Sequence, residues 1–205
     1  MRRRLFFAAS ATLLLAAASA PPVGATSVDH GTFHGFNADA IFRAEVGTVV
    51  TDVDVGLITG RATGDILPGG TDPLPVAAVT IEVHDGDTLV LQAYGQVSLA
   101  PDEYTMDGSK LKSASVVTTI PAVDAEGNAF DVAVDVQWTA WGAYDHQVGG
   151  YTVPSEYVTR FIGKARESMS ATGTVSWGST TFDDWSTDAG FVMKVATYFV
   201  TTITK

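Results

Sequence analysis

No cysteine occurs among the 205 residues, which excludes disulfides, thiol nucleophiles and thiolate metal sites and leaves only oxygen and imidazole ligands for any metal. Cations are scarce as well. Twelve Lys and Arg stand against 23 Asp and Glu, a formal net charge of -11. A chain this acidic lacks the cationic face that nucleic acid or an anionic membrane requires, so neither is an expected partner. Sustained 3.6-residue apolar periodicity is missing, and the only short helical possibility is 160–169. There is no Gly-x-Ser-x-Gly elbow. Ser109-Lys110-Leu111-Lys112 matches Ser-x-x-Lys without the companion motifs, and no carboxylate pair stands out among so many acids. The sequence therefore assigns no catalytic residue and no cofactor.

Long apolar runs are nearly absent too. The one such run, Leu5 to Ala18, falls short of the roughly 20 residues that span a bilayer. It follows Arg2, Arg3 and Arg4 and precedes the small residues Val23-Gly24-Ala25, so residues 1–25 read as a cleavable export signal. Cleavage is expected after Ala25, because a cut after Ala20 would place Pro21 next. Arg3-Arg4-Leu5-Phe6-Phe7 resembles the twin-arginine pattern, but Arg2 replaces the usual polar residue before the pair, and the general secretory route is expected. The mature chain, Thr26 to Lys205, would be secreted, without a transmembrane span. Its nine basic residues against 23 acidic ones give a net charge of -14. About 180 residues suffice for one buried core and favour a single domain.

What the mature chain has in abundance is period-two alternation. Val53, Val55 and Leu57 alternate with Asp52 and Asp54, as in a strand with one buried face. Pro68 to Pro75 is rich in turn formers and reads as a long loop. Val79, Ile81 and Val83 alternate up to the turn Asp85-Gly86-Asp87, and the pattern resumes at Leu89, Leu91 and Ala93, which predicts a tight hairpin. A second hairpin is predicted from 113–123 through the turn 124–128 to Val132, Val134, Val136 and Trp138. Further strands are expected around 152–162, 171–177 and 190–204. Thr26 to Asp39 shows little periodicity and reads as a loosely structured arm. The fold class is all-β: a single antiparallel sandwich or closed barrel of about eight to ten strands, with the choice between the two left open.

Residues 87–141 and 166–204 resemble a family of uncharacterised secreted proteins of actinobacteria. The resemblance is carried by Leu91-Gln92-Ala93-Tyr94-Gly95 with Leu99-Ala100-Pro101, by Phe130-Asp131-Val132 leading to Val136-Gln137-Trp138-Thr139, and by Ala171-Thr172-Gly173-Thr174-Val175 with Thr180-Thr181-Phe182. It implies an exported β-rich domain and no particular activity. Members of that family often carry cysteines in their first half, where this chain has none.

Candidate binding residues are few. His30 and His34 would share one face of a helix as zinc ligands, but Gly31 and Gly35 argue against a helix there. Calcium suits an acidic exported protein better, and Asp183, Asp184 and Asp188 form its candidate site. The turns Asp85-Gly86-Asp87 and Asp124 to Asn128 are weaker versions, because Asp and Gly serve turns on their own account. The best lead is aromatic. Trp141, Tyr144, His146 and Tyr151 follow the core-parity Trp138 in a Gly-containing segment, where exposed rings could stack on a ligand or close the end of the core. The expected function is a non-enzymatic binding or interaction module at the cell surface or in the medium, its partner an unknown ligand or extracellular macromolecule. The alternatives are a barrel carrying a small apolar ligand and a carboxylate-dependent extracellular hydrolase.

Overall fold

The computed structural model describes residues 28–63, 75–153, 157–183 and 190–202, with side chains described for 33–61, 75–146 and 163–182. Residues 1–25, expected to be an export signal, and Asp184 and Asp188 lie outside the described residues.

Ten strands run in chain order as β1 (Val28–Val46), β2 (Val49–Thr63), β3 (Val76–Asp85), β4 (Thr88–Ser98), β5 (Tyr104–Met106), β6 (Ser113–Asp124), β7 (Ala129–Val153), β8 (Tyr157–Trp177), β9 (Thr180–Asp183) and β10 (Gly190–Thr202). They form one antiparallel sheet in the order β10-β1-β2-β3-β4-β6-β7-β8-β9, with β5 paired to β6. β10 pairs with β1 along one edge and with Tyr157–Ala165 of β8 along the other. The sheet thus nearly closes into a barrel, and both predicted hairpins fall where the alternation places them.

The alternation decides which side chains go inside. Val53, Val55 and Leu57 from β2, Val79 and Ile81 from β3, and Val132, Val136 and Trp138 from β7 are at most 1% exposed. Burying side chains of this size contributes roughly 1.5–3 kcal/mol each. Phe42, Ile120 and Val175 join the same cluster from β1, β6 and β8. The segment after β4 folds across one end of this core. Leu99 and Leu111 are buried there, and a Cβ on Gly108 would stand 2.6 Å from the ring tip of Phe36.

Two expectations differ from the structure. The segment 26–39, expected as an arm, is from Val28 onward part of β1, paired with β10 and, from Thr32, with β2 as well. Both faces of β1 bury side chains here. Phe33, Gly35 and Asp39 are buried on one face while Ala38, Ala40 and Phe42 are buried on the other, so no apolar/polar alternation marks the strand. The helical possibility at 160–169 is strand. It lies inside β8, where Val158 to Ala165 pairs with β10 and β7 together, and ladder bonds on both sides outweigh local helix preference.

Closure is uneven. β7 and β8 share a register over nearly their whole lengths, whereas β4 and β6 meet only through Ala93–Asp124, Tyr94–Val123 and Gly95–Ala122. Beyond Gly95 the two strands part, and Glu103 bridges the opening. Its carboxylate accepts from the Thr118 hydroxyl at 2.7 Å and from the Ala100 N–H at 2.7 Å, which holds it below the usual carboxylate range, the Ala100 bond contributing most. A shallow outer groove of about 520 Å³ lies beside this opening, lined among others by Val97, Val117, Thr119, Asp135 and Thr174.

Candidate functional site: the outer face of the β7–β8 hairpin

β7 outruns its neighbour β6. Their pairing stops at Ser113–Thr139, while β7 continues beside β8 to Val153. Along this projecting part the register shifts between Trp141 and Tyr144: Trp141 faces Ser168, Tyr144 faces Arg166, and Gly142 and Ala143 together stand against Glu167. This is a β-bulge, with Gly142 at φ 82° in the left-handed region that glycine adopts without cost. The Glu167 carboxylate accepts the Ala143 N–H at 3.1 Å and fixes the extra residue.

The bulge decides what shares a face. Strict alternation from Trp141 would send Tyr144 and His146 to the opposite side of the strand. The inserted residue returns them to the side of Trp141, opposite Arg166 and Lys164, which flank the buried Ala165. Trp141 is 50% exposed, Tyr144 is 37% exposed and His146 is exposed. The indole is therefore outside the core, unlike the 1%-exposed Trp138 three residues earlier.

Tyr144 lies among cations. The Lys164 ammonium is 3.7 Å and the Arg166 guanidinium carbon 3.8 Å from its ring centroid, within the range in which a ring quadrupole attracts positive charge. Arg166 is also a clamp. Its Nε and Nη2 donate to the Lys110 carbonyl at 2.9 and 2.7 Å, its Nη1 donates to the Gly142 carbonyl at 3.0 Å, and the Tyr144 hydroxyl adds a third bond to Lys110 at 3.2 Å. These bonds tie the 107–112 turn to the bulge. Leu111, next in the chain, is buried at φ 52°, a left-handed conformation costing roughly 1–2 kcal/mol for a side chain with a Cβ. The same turn is closed from within by Asp107, which accepts from the Lys110 N–H at 3.0 Å and from the Ser109 hydroxyl at 2.9 Å. Ser109 and Lys112 of the Ser-x-x-Lys match thus belong to a turn. Tyr144 and Arg166 are committed to these contacts, which leaves the Trp141 indole and His146 exposed on the same face as the Lys164 ammonium.

Lys110, Lys112, Lys164 and Arg166 have no carboxylate partner among the described residues, where the ion pairs join Arg43 to Glu45 and Asp52. Sequence reasoning missed Lys164 and Arg166, although four of the nine cations that follow residue 25 sit in just two short stretches, 110–112 and 164–166.

The remaining candidates are placed as follows. Tyr151 pairs with Thr159 in the hairpin and its side chain is outside the described residues. Asp183 ends β9 opposite Thr174, and its side chain is likewise undescribed. His34 is exposed on strand β1, so the zinc spacing, which needs a helix, does not apply. Asp124 spends its oxygens on its own turn, accepting from the Glu126 N–H at 3.0 Å, the Asn128 N–H at 2.8 Å and the Asn128 amide at 2.8 Å. Asp85 accepts the Thr48 hydroxyl. Among the described residues no group of three or more His, Asp or Glu is arranged to hold a metal.

One carboxylate pair stands elsewhere. Asp54 of β2 and Asp39 of β1 are diagonal neighbours joined by a side-chain hydrogen bond. Burial pushes the Asp54 carboxyl well above the usual carboxylate range, and the charge of Asp39 and the shared bond push the same way. Asp39 is 5% exposed, and Asp54 Oδ1 is buried without a hydrogen-bond partner.

In comparisons with known proteins no family model matches the chain, and neither a curated protein nor a solved structure matches it.

Proposed function

We propose that this domain is a non-enzymatic binding or interaction module that acts outside the cytoplasm, engaging its partner through the outer face of the β7–β8 hairpin. One observation carries the reading: the half-exposed Trp141 indole stands beside cations that have no carboxylate partner among the described residues, in a chain where acids outnumber bases almost two to one. Exposing an indole forgoes burial worth a few kcal/mol, and cations without a carboxylate partner among the described residues forgo an attraction worth up to about 1 kcal/mol each at the surface. A ligand supplies both. Among the described residues the interior supports an outside site over a carried apolar ligand, because Trp138, Phe42, Leu57, Ile81 and Ile120 pack there at less than 2% exposure. A hydrolase would draw on Asp39 and Asp54, but Asp39 is only 5% exposed and its carboxyl is engaged with that of Asp54, which leaves little of the pair open to a polymer.

The test is cosedimentation of residues 26–205 with cell envelopes of the producing organism, wild type against Trp141→Ala. Wild-type protein in the pellet and variant in the supernatant, with equal melting midpoints, is the expected result. Equal partition of the two folded proteins would overturn the reading.

A further inference from the structure

We propose that the hairpin face binds a carboxylated saccharide, the Trp141 indole lying under a sugar ring and the Lys164 ammonium meeting its carboxylate; this rests on the binding-module reading above. The outward pairs along β7 and β8 run Gln137–Thr172, Thr139–Ser170, Trp141–Ser168, Tyr144–Arg166 and His146–Lys164. From Thr172 to Lys164 this row is about 27 Å long at 3.3–3.4 Å per residue. Its two halves differ in chemistry. On one side of the indole stand an amide and four hydroxyls with no charge, which match sugar hydroxyls as donors and acceptors. On the other stand the cations. Asp135, paired with Thr174, ends the uncharged half with a negative charge.

An exposed indole between hydroxyls and a cation fits a ring that is apolar on its face, polar at its rim and anionic at one substituent. A carboxylate is favoured over a phosphate because of how the cations are committed. Arg166 spends three of its five donors on the carbonyls of Lys110 and Gly142, so its fork is not open for bidentate phosphate recognition. The Lys164 ammonium makes no such bonds. It is a point charge held 3.7 Å over the Tyr144 ring, ordered before any ligand arrives, and it complements one negative charge.

The experiment titrates residues 26–205 with oligogalacturonate, with its fully methyl-esterified form as the uncharged counterpart and with a glycerol-phosphate oligomer as the phosphate arm, reading the indole N–H resonances. Oligogalacturonate is expected to shift the resonance that Trp141→Ala removes. Lys164→Met, which keeps the stem over Tyr144, should weaken binding about tenfold and abolish most of its salt dependence, and methyl esterification should do the same to the wild type. Equal affinity for the esterified form, or tighter binding of the phosphate oligomer through the same indole, would overturn the carboxylate assignment and leave the module reading standing. No shift of the Trp141 resonance with any of the three would overturn this inference, while cosedimentation decides the module reading independently.

Discussion

Replacing Gly95 by alanine tests whether the seam between β4 and β6 closes the barrel as described. A Cβ at this position would stand 2.4 Å from the Pro121 carbonyl oxygen, 2.9 Å from Ala122 Cα and 3.0 Å from Ile120 Cγ2. Two of these three atoms are backbone, so no rotamer change relieves the clash, and β6 itself must move. Overpacking of this kind costs roughly 1–3 kcal/mol, and backbone contact puts the site at the upper end. Gly95–Ala122 is also the last of only three register pairs, so displacing it threatens ladder bonds worth about 1 kcal/mol each. The expected loss is about 3 kcal/mol. At roughly 2–4 °C per kcal/mol for a domain of this size, the thermal midpoint falls by about 6–12 °C. Hydrogen exchange should speed up at Tyr94 and Val123 while the long β7–β8 ladder stays protected. Gly127→Ala is the control, since it meets nothing within 4 Å and pays only the strain of φ 88°, roughly 1–2 kcal/mol. A Gly95→Ala protein melting within about 2 °C of the wild type would refute the close approach of the two strands.

Asp54→Asn should raise stability at neutral pH. The folded-state value of Asp54 is raised, so its contribution is fully present below the ordinary carboxylate value and is lost as pH rises through the raised one; the stability gap between variant and wild type should widen over that interval, and a gap constant from pH 4 to 8 would contradict the buried pair. Asp124→Asn should do the reverse. The bonds from Asn128 hold Asp124 below its ordinary value, so the variant should be less stable than the wild type at pH 7, with the difference vanishing as pH falls through the folded-state value in acid unfolding curves. Trp138→Ala should cost roughly 3–5 kcal/mol in a denaturant titration, whereas Trp141→Ala should leave the midpoint nearly unchanged, and equal losses for the two would place both rings in the core. Arg166→Lys should lower stability by about 1–3 kcal/mol in the same titration, because a single ammonium cannot replace the fork that holds the Lys110 and Gly142 carbonyls and with them the strained Leu111.

Most of the strand ladder was legible because it is half-buried. Where one face meets the core and the other meets water, as in Val53 to Leu57 or Val132 to Trp138, burial writes itself into the sequence with period two. β1 escaped this reading because Phe33, Gly35 and Asp39 are buried on one face and Ala38 and Ala40 on the other, and the first half of β8 because neighbours on both sides hold a segment whose local pattern is ambiguous. At the candidate site the exposed Trp141, Tyr144 and His146 were legible as residue types in a segment past the core. Their shared face was not, since alternation alone separates Trp141 from the other two.

The sequence by itself determined the all-β class, both tight hairpins, the inward faces of the central strands and the absence of thiol chemistry, because each of these depends on residue type and short-range spacing. Closure of the sheet through β10, the three-pair seam, the burial of Asp39 against Asp54 and the meeting of Tyr144 with Lys164 and Arg166 were decided only by tertiary structure. Each of those depends on register between segments distant in the chain. At the hairpin a single extra residue at Gly142 and Ala143 changes that register and turns two side chains to the other face.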